Sequence, residues 1–316
     1  MQGLIWPGAT HARLATPTPG SVGRMTTRPF RMIDVFPSAT PQSGNPLAVV
    51  LDAEGLTTEV LTTEQMAAFS AWTNLSECTF VLPPTDPQAD YQVRIFSLTT
   101  ELPFAGHPTL GTARAWLDAG GVPRTSGRVV QECGVGLVPV RIDDEMLAFA
   151  APPLIRSGSV DRADLAVALS ILGVTPADVV AASWIDNGPG WLGVLLSSAD
   201  AVLSLEPDFG PRAGQHSIGV VGLYPQGSGN NDADAAVEVR AFFNDGGGPL
   251  REDPVTGSLN ASVAQWLTGS GRVKAPYVAR QGARVGRDGR VQVTEAEGEL
   301  WIGGSAVVTV SGDVDV

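Results

Sequence analysis

Two stretches of this sequence gather imidazole, carboxyl and hydroxyl groups around a glycine. The first is Glu101-Leu102-Pro103-Phe104-Ala105-Gly106-His107-Pro108-Thr109, and the second is Glu252-Asp253-Pro254-Val255-Thr256-Gly257-Ser258. A glycine just ahead of a helix lets backbone N–H groups approach a ligand with no Cβ in the way. The first turn of that helix carries N–H groups without intrahelical partners and a partial positive charge. Gly106-His107 and Gly257-Ser258 therefore read as two helix starts suited to a small carboxylate, or else as two tight helix entries. His107, Asp253, Thr256 and Ser258 are the candidate groups for proton transfer and substrate contact at these turns. Each also has a plain reading: a packing histidine, a turn initiated before Pro254, an N-cap. A third cluster, Asn74-Leu75-Ser76-Glu77-Cys78-Thr79, runs into the apolar Phe80-Val81-Leu82. Glu77 there is either solvated or held against an apolar wall, and the second case raises its pKa and fits it for acid–base work.

The elements that must position these groups repeat. Gly106 and Gly257 lie 151 positions apart, and around them Glu101/Glu252, Pro103/Pro254 and Ala113/Ala264 coincide. Each stretch follows a strand-like run, Val93-Arg94-Ile95-Phe96 or Val239-Arg240-Ala241-Phe242. Each precedes a helical stretch that stops at glycine, Ala113–Leu117 before Gly120-Gly121 and Val263–Leu267 before Gly269. Short strands follow, from Val129 to Phe149 and from Tyr277 to Val310. Thr62–Ala71 and Asp164–Leu172 read as further amphipathic helices on the outsides. The repeat predicts an α+β protein of two pseudo-twofold-related lobes, residues 29–155 and 156–316, with the last strand able to cross back. Residues 1–28 hold three arginines and no acid; they are expected to be a disordered extension, with Met25 an alternative start.

Composition narrows the classes. The chain has 316 residues, 43% apolar and 17% charged, which is a globular balance. A net charge of −13 argues against nucleic acid or an anionic membrane as partner. No apolar stretch reaches the roughly 20 residues of a membrane span. Only Cys78 and Cys133, and only His11, His107 and His216, are present, without metal-binding spacing, so no metal site is expected. An epimerase working with paired thiols would need a cysteine at each glycine turn, and neither cysteine lies in one. Gly188-Pro189-Gly190-Trp191-Leu192-Gly193 fits GxGxxG but leads into a strand-like Val194-Leu195-Leu196 instead of a helix, so a nicotinamide site is not expected. No GxSxG or GxxxxGK[ST] occurs.

Six elements in order resemble the PhzF-like isomerases of the diaminopimelate-epimerase-like fold. They are Asp34-Val35-Phe36, Gly44-Asn45-Pro46 with Ala48-Val49-Val50, Asn74-Leu75-Ser76-Glu77, Arg94-Ile95-Phe96, ELPFAGHPT at 101–109 and EDPVTGS at 252–258. The resemblance covers roughly residues 30 to 315. It implies lobes that are each a strand barrel wrapped around a central helix, with the active site between them. It further implies proton transfer on a small, cyclic or acyclic, carboxylic or amino acid, without metal or organic cofactor, by a homodimer; the lack of a membrane span or signal-peptide core leads to the separate expectation that the protein is cytoplasmic. Glu77 is then the acid–base, with His107 and Asp253 beside it. Gly106, Gly257, Ser258, Ser76 and Thr256 are then the substrate contacts. Cys78 stands where the family commonly has Thr, and Ser97-Leu98 where it has Thr-Pro. The alternative is a carboxylate-binding protein that keeps the fold without turnover.

Overall fold

The computed structural model describes residues 26–51, 61–98, 100–144, 146–225, 235–244 and 247–316. Residues 1–25 of the expected extension lie outside the described residues. Contacts divide the chain into two units. The first comprises the described residues up to 35, with 46–149 and 305–316; the second comprises 36–45 and 150–304. The second unit thus begins a few residues ahead of the expected boundary and takes in a short early segment.

The first unit is built from β1 (Thr27–Val35), β2 (Asn45–Leu51), α1 (Thr63–Thr73), β3 (Glu77–Leu82), β4 (Tyr91–Ser97) and β5 (Glu101–Leu102). They are followed by α2 (Gly106–Asp118), β6 (Arg128–Cys133), β7 (Gly136–Asp143) and β8 (Met146–Ala150). The second holds β9 (Arg156–Gly158), α3 (Arg162–Leu172), β10 (Val179–Asp186), β11 (Leu192–Leu196), α4 (Ala199–Leu203), β12 (Pro211–Ala213) and β13 (Ser217–Leu223). It continues with β14 (Val237–Phe243), β15 (Gly247–Pro249), β16 (Arg251–Asp253), α5 (Gly257–Gly269), β17 (Tyr277–Gln281), β18 (Gly289–Ala296) and the start of β19 (Glu299–Asp315). The end of β19, from Ser305, belongs to the first unit. It pairs antiparallel with β1, from Thr27 opposite Asp315 to Val35 opposite Ala306, so Thr27 and Arg28 are strand residues and not part of an extension.

In the first unit the pairings β1–β2, β2–β3, β3–β4, β4–β6, β6–β7, β7–β8, β8–β19 and β19–β1 close a ring of eight strands. Helix α2 contacts β1, β3, β6 and β7, strands from all round that ring, and nine of its residues are buried. A helix buried on nearly every side is a core helix, not a surface one. Gly111 shows how close the fit is, because a Cβ there would meet Leu47 at 2.5 Å and Val35 at 2.9 Å. Outside the ring, Met66 and Phe69 of α1 pack with Ala48, Val50, Cys78, Phe80 and Phe96. A Thr62/Gln65 capping box starts α1.

The second unit repeats the plan. Strands β10, β11, β13, β14, β17, β18 and β19 pair in that series, with β11–β13 and β14–β17 parallel. Their counterparts β2–β3 and β4–β6 are also parallel. The stretch after β8 leads from one end of the series to the other: Ala151 N–H donates to Leu300 O at 2.8 Å, and β9 pairs with β10. Leu259 and Trp266 of α5 lie over Gly219 and Gly193, and α5 also contacts β10 and β18. Helix α3 packs outside, on Leu192, Val194 and Leu196.

The same ion pair recurs in both units. Arg94 forks onto Glu101 through Nε and Nη2, both at 2.7 Å, and Arg240 forks onto Glu252 at 2.9 and 2.8 Å. Each arginine also lies over the phenylalanine two residues on, Phe96 at 5.1 Å and Phe242 at 4.9 Å. Those phenylalanines face the paired glutamates across the hairpin. Arg94 Nη2 further donates to Thr63 at the start of α1, while Arg240 Nη1 donates to the carbonyls of Val202 and Leu205 at the end of α4. The pairs differ in depth. Side chains of Arg240 and Glu252 are 3% and 4% exposed, against 25% and 38% for Arg94 and Glu101.

Removing one partner of a buried pair leaves an uncompensated charge. Arg240→Met is therefore expected to destabilise by about 3–5 kcal/mol, and Arg94→Met by about 1 kcal/mol or less. Urea denaturation reads both, and equal shifts in the two variants would contradict the assignment.

Candidate functional site

Strand alternation decides where Glu77 points. Successive residues of a strand face opposite sides. In β3, Cys78 and Phe80 join the outer layer under α1, while Thr79 accepts a hydrogen bond from Thr112 of α2 at 2.8 Å. Glu77 therefore shares the inner face with Thr79, where α2 begins. His107, the second residue of that helix, brings Nε2 to 3.5 Å from Glu77 Oε2. The histidine is 4% exposed and the Glu77 side chain 18%. Burial drives the imidazole pKa down to about 3. The ring is thus neutral near pH 7, and the pair is a carboxyl group beside a neutral imidazole, not an ion pair. Burial also pushes the Cys78 thiol up, with a contact to Thr73 at 3.1 Å. Such a thiol is a packing residue, not a nucleophile.

Gly106 opens α2 after Ala105, whose side chain offers no cap. Pro108 has no N–H, so the first turn presents the amides of Gly106 and His107 to this end of the helix. The turn is held from below: Gln131 donates to Thr109 Oγ1 at 2.9 Å and accepts from Tyr91 at 3.2 Å. Ser76 precedes Glu77, half-buried.

In the second unit Gly257 opens α5, again without a side-chain cap from the residue before it, Thr256. Asp253 is buried and receives a hydrogen bond on each oxygen, from Thr256 Oγ1 at 2.5 Å and Asn45 Nδ2 at 3.2 Å. Gln281 donates to Thr256 Oγ1 and to the Asp253 carbonyl, and accepts from Thr256 N–H and from Asn260. The Thr256 hydroxyl is engaged on both sides and serves the turn. Ser258 Oγ accepts from Trp191 Nε1 at 3.1 Å, and the Ser258 carbonyl from Asn187 Nδ2 at 2.9 Å. Among the described residues no group of three or more His, Cys, Asp or Glu side chains is placed to hold a metal ion.

A family model described as phenazine biosynthesis-like protein (PhzC-PhzF) matches residues 33–312. The chain belongs to the PhzC-PhzF family. Among its relatives, the Pseudomonas fluorescens protein named trans-2,3-dihydro-3-hydroxyanthranilate isomerase is 32% identical over 277 residues, covering 85% of this chain and 90% of that one. Antisense-enhancing sequence 1 of Schizosaccharomyces pombe is 32% identical over 306 residues, covering 91% and 99%. The crystal structure of the Bacillus anthracis PhzF-family phenazine biosynthesis protein matches with a TM-score of 0.71 at 22% identity, over 92% of this chain and all of that one, which shows the shared fold. This PhzF-family chain is an enzyme of the isomerase class.

Within the first unit the geometry brings Glu77, His107 and Gly106 together; within the second it brings Asp253, Thr256, Gly257 and Ser258 together. Asn45, Gln131, Gln281, Asn260, Asn187 and Trp191 are polar partners that inspection of the glycine turns missed. A signal existed for two of them. Gln131 and Gln281 follow Gly106 and Gly257 by 25 and 24 positions, and extending the repeat would have paired them.

A histidine in the unfolded chain takes up a proton near 6.5, whereas folded His107 resists it down to about 3. The unfolded state therefore binds more protons in this window. The stability contribution of the neutral ring is complete above 6.5 and is lost as the pH falls toward 3. His107→Asn should flatten that stretch of the stability profile. By NMR, the His107 ring should not titrate between about pH 8 and pH 5; a midpoint near its ordinary value would contradict the burial argument.

Proposed function

We propose that this PhzF-family chain moves a proton between two carbons of a small carboxylic acid, with Glu77 as the acid–base and no metal or organic cofactor. The observation that carries the reading is the Glu77 carboxyl beside a neutral, buried His107 at the glycine-led start of α2. In the proposed reaction the carboxylate takes a proton from a C–H bond, and the electron pair left behind joins the conjugated system. The resulting carboxylic acid returns the proton to a second carbon as the double bonds shift. One C–H bond breaks, another forms, and Glu77 ends as it began. A neutral imidazole can donate from one nitrogen and accept at the other, so His107 can orient a substrate hydroxyl or amine without adding charge.

The proposed substrate class is supported by the Pseudomonas relatives, which are named for a ring amino acid, trans-2,3-dihydro-3-hydroxyanthranilate. The amides of Gly106 suit a carboxylate oxygen. Gly257 and Ser258 are proposed to contribute to affinity for the same substrate, with Ser76 as a further contact. Asp253 and Thr256 hold the second turn in shape, and Asp253 is the next candidate for proton transfer. Assembly as a homodimer is part of the proposal, on family resemblance, and a monomer by light scattering at micromolar concentration would remove it.

The test uses trans-2,3-dihydro-3-hydroxyanthranilate and a panel of cyclic and acyclic amino and hydroxy acids in D2O, with mass detection of deuterium uptake. Glu77→Gln keeps the shape and removes the proton acceptor. Turnover on the substrate found should fall by about 10²–10⁴-fold with affinity nearly unchanged. Near wild-type turnover in that variant would place the acid–base elsewhere.

A further inference from the structure

The glycine-rich stretch Asp186-Asn187-Gly188-Pro189-Gly190-Trp191 plays no part in the chemistry proposed above, yet it is tightly built against the start of α5. Asp186 Oδ1 accepts the N–H groups of Gly188 and Gly190, both at 2.7 Å. Those glycines have φ of 141° and 87°, a region that favours residues without Cβ. Ser217 Oγ donates to the Pro189 carbonyl at 2.9 Å, and Trp191 is 3% exposed. The turn delivers two side chains to one residue. Asn187 donates to the Ser258 carbonyl and Trp191 Nε1 to Ser258 Oγ.

An indole N–H can only donate. The Ser258 oxygen is therefore the acceptor in that contact, and its own hydrogen must point away from Trp191. We propose that Trp191 is a positioning residue: it holds the Ser258 hydroxyl as a donor aimed at an anionic oxygen of the substrate. The inference rests on the reading that Ser258 contacts a carboxylate substrate. Without the indole, the hydroxyl rotates among its staggered positions, and part of its hydrogen-bond strength toward the ligand is lost. Trp191 thus acts through Ser258 and makes no contact of its own with the substrate.

That dependence has a signature a packing role lacks. Binding of 3-hydroxyanthranilate, the aromatic counterpart of the ring acid named above, is measured by calorimetry on the full chain. Four proteins are compared: wild type, Ser258→Ala, Trp191→Phe and the double variant. Loss of a hydrogen bond to a charged group should weaken Ser258→Ala by about 10-fold or more, and loss of the orienting bond should weaken Trp191→Phe by about 3–10-fold. The double variant should bind within about 2-fold of Ser258→Ala, because the indole has nothing left to orient. Should Trp191→Phe fail to fold, Asp186→Ala, which removes the acceptor of the Gly188 and Gly190 N–H groups but keeps the ring, is put through the same cycle. Additive losses, or no loss in Trp191→Phe while Ser258→Ala is impaired, overturn this inference alone. Absence of wild-type binding, or an unimpaired Ser258→Ala, overturns the reading of Ser258 and this inference with it.

Discussion

The arginine–glutamate fork is the interaction on which the rest of this structure depends. Each glycine turn follows its glutamate by five residues, Glu101 before Gly106 and Glu252 before Gly257. A two- or three-residue strand has too few backbone hydrogen bonds to fix its own register. The fork does it instead, tying that strand to the long strand beside it and to the helix outside, α1 or α4. Once Glu101 and Glu252 are pinned, the chain enters the buried helix at one defined point. The pair, its fork geometry and its neighbouring phenylalanine recur in both units. The burial of the two pairs differs: in the second unit the loss of one partner would strand a buried charge, whereas in the first unit water can solvate the partner left behind.

A second constraint is the two-residue period of β3. Glu77 and Cys78 are neighbours in sequence, but alternation sends the thiol into the apolar layer beneath α1 and the carboxyl toward α2. One face stores packing energy and the other holds a titratable group beside a neutral imidazole. A charged imidazole there would form an ion pair with the carboxylate and oppose its taking up a proton. Burial of His107 keeps the ring neutral and prevents this ion pair. In the second unit the corresponding turn is locked by amides and hydroxyls, with Asn45 and Thr256 on Asp253 and Gln281 beneath.

Much of this could be read from the sequence because it is local or repeated. Gly106 and Gly257 open helices where the glycine, the repeat spacing and the following apolar residues placed them, and a helix does run through most of the stretch read as Thr62–Ala71. What could not be read depends on chain folding at long range. Asn45 meets Asp253 from 208 positions away, and no pattern around either residue announces it. Arg94 and Arg240 stood out only as parts of a strand motif, since their glutamates lie 7 and 12 positions on, at unequal distances. Trp191 sat inside a stretch legible only as a glycine motif in the wrong context; its turn instead serves Ser258. Thr27 and Arg28 carry no strand signal of their own and are ordered by β19, whose far end arrives nearly three hundred residues later.

In the proposed reaction the reacting carbon of the substrate sits against Glu77. A crystal structure of the chain with a bound ring acid, 3-hydroxyanthranilate, measures this most directly. The expected result is a ring carbon within about 3–3.5 Å of a Glu77 carboxyl oxygen, with His107 in hydrogen-bond reach of a ring substituent. A ligand bound elsewhere, with Glu77 facing only protein, would contradict it.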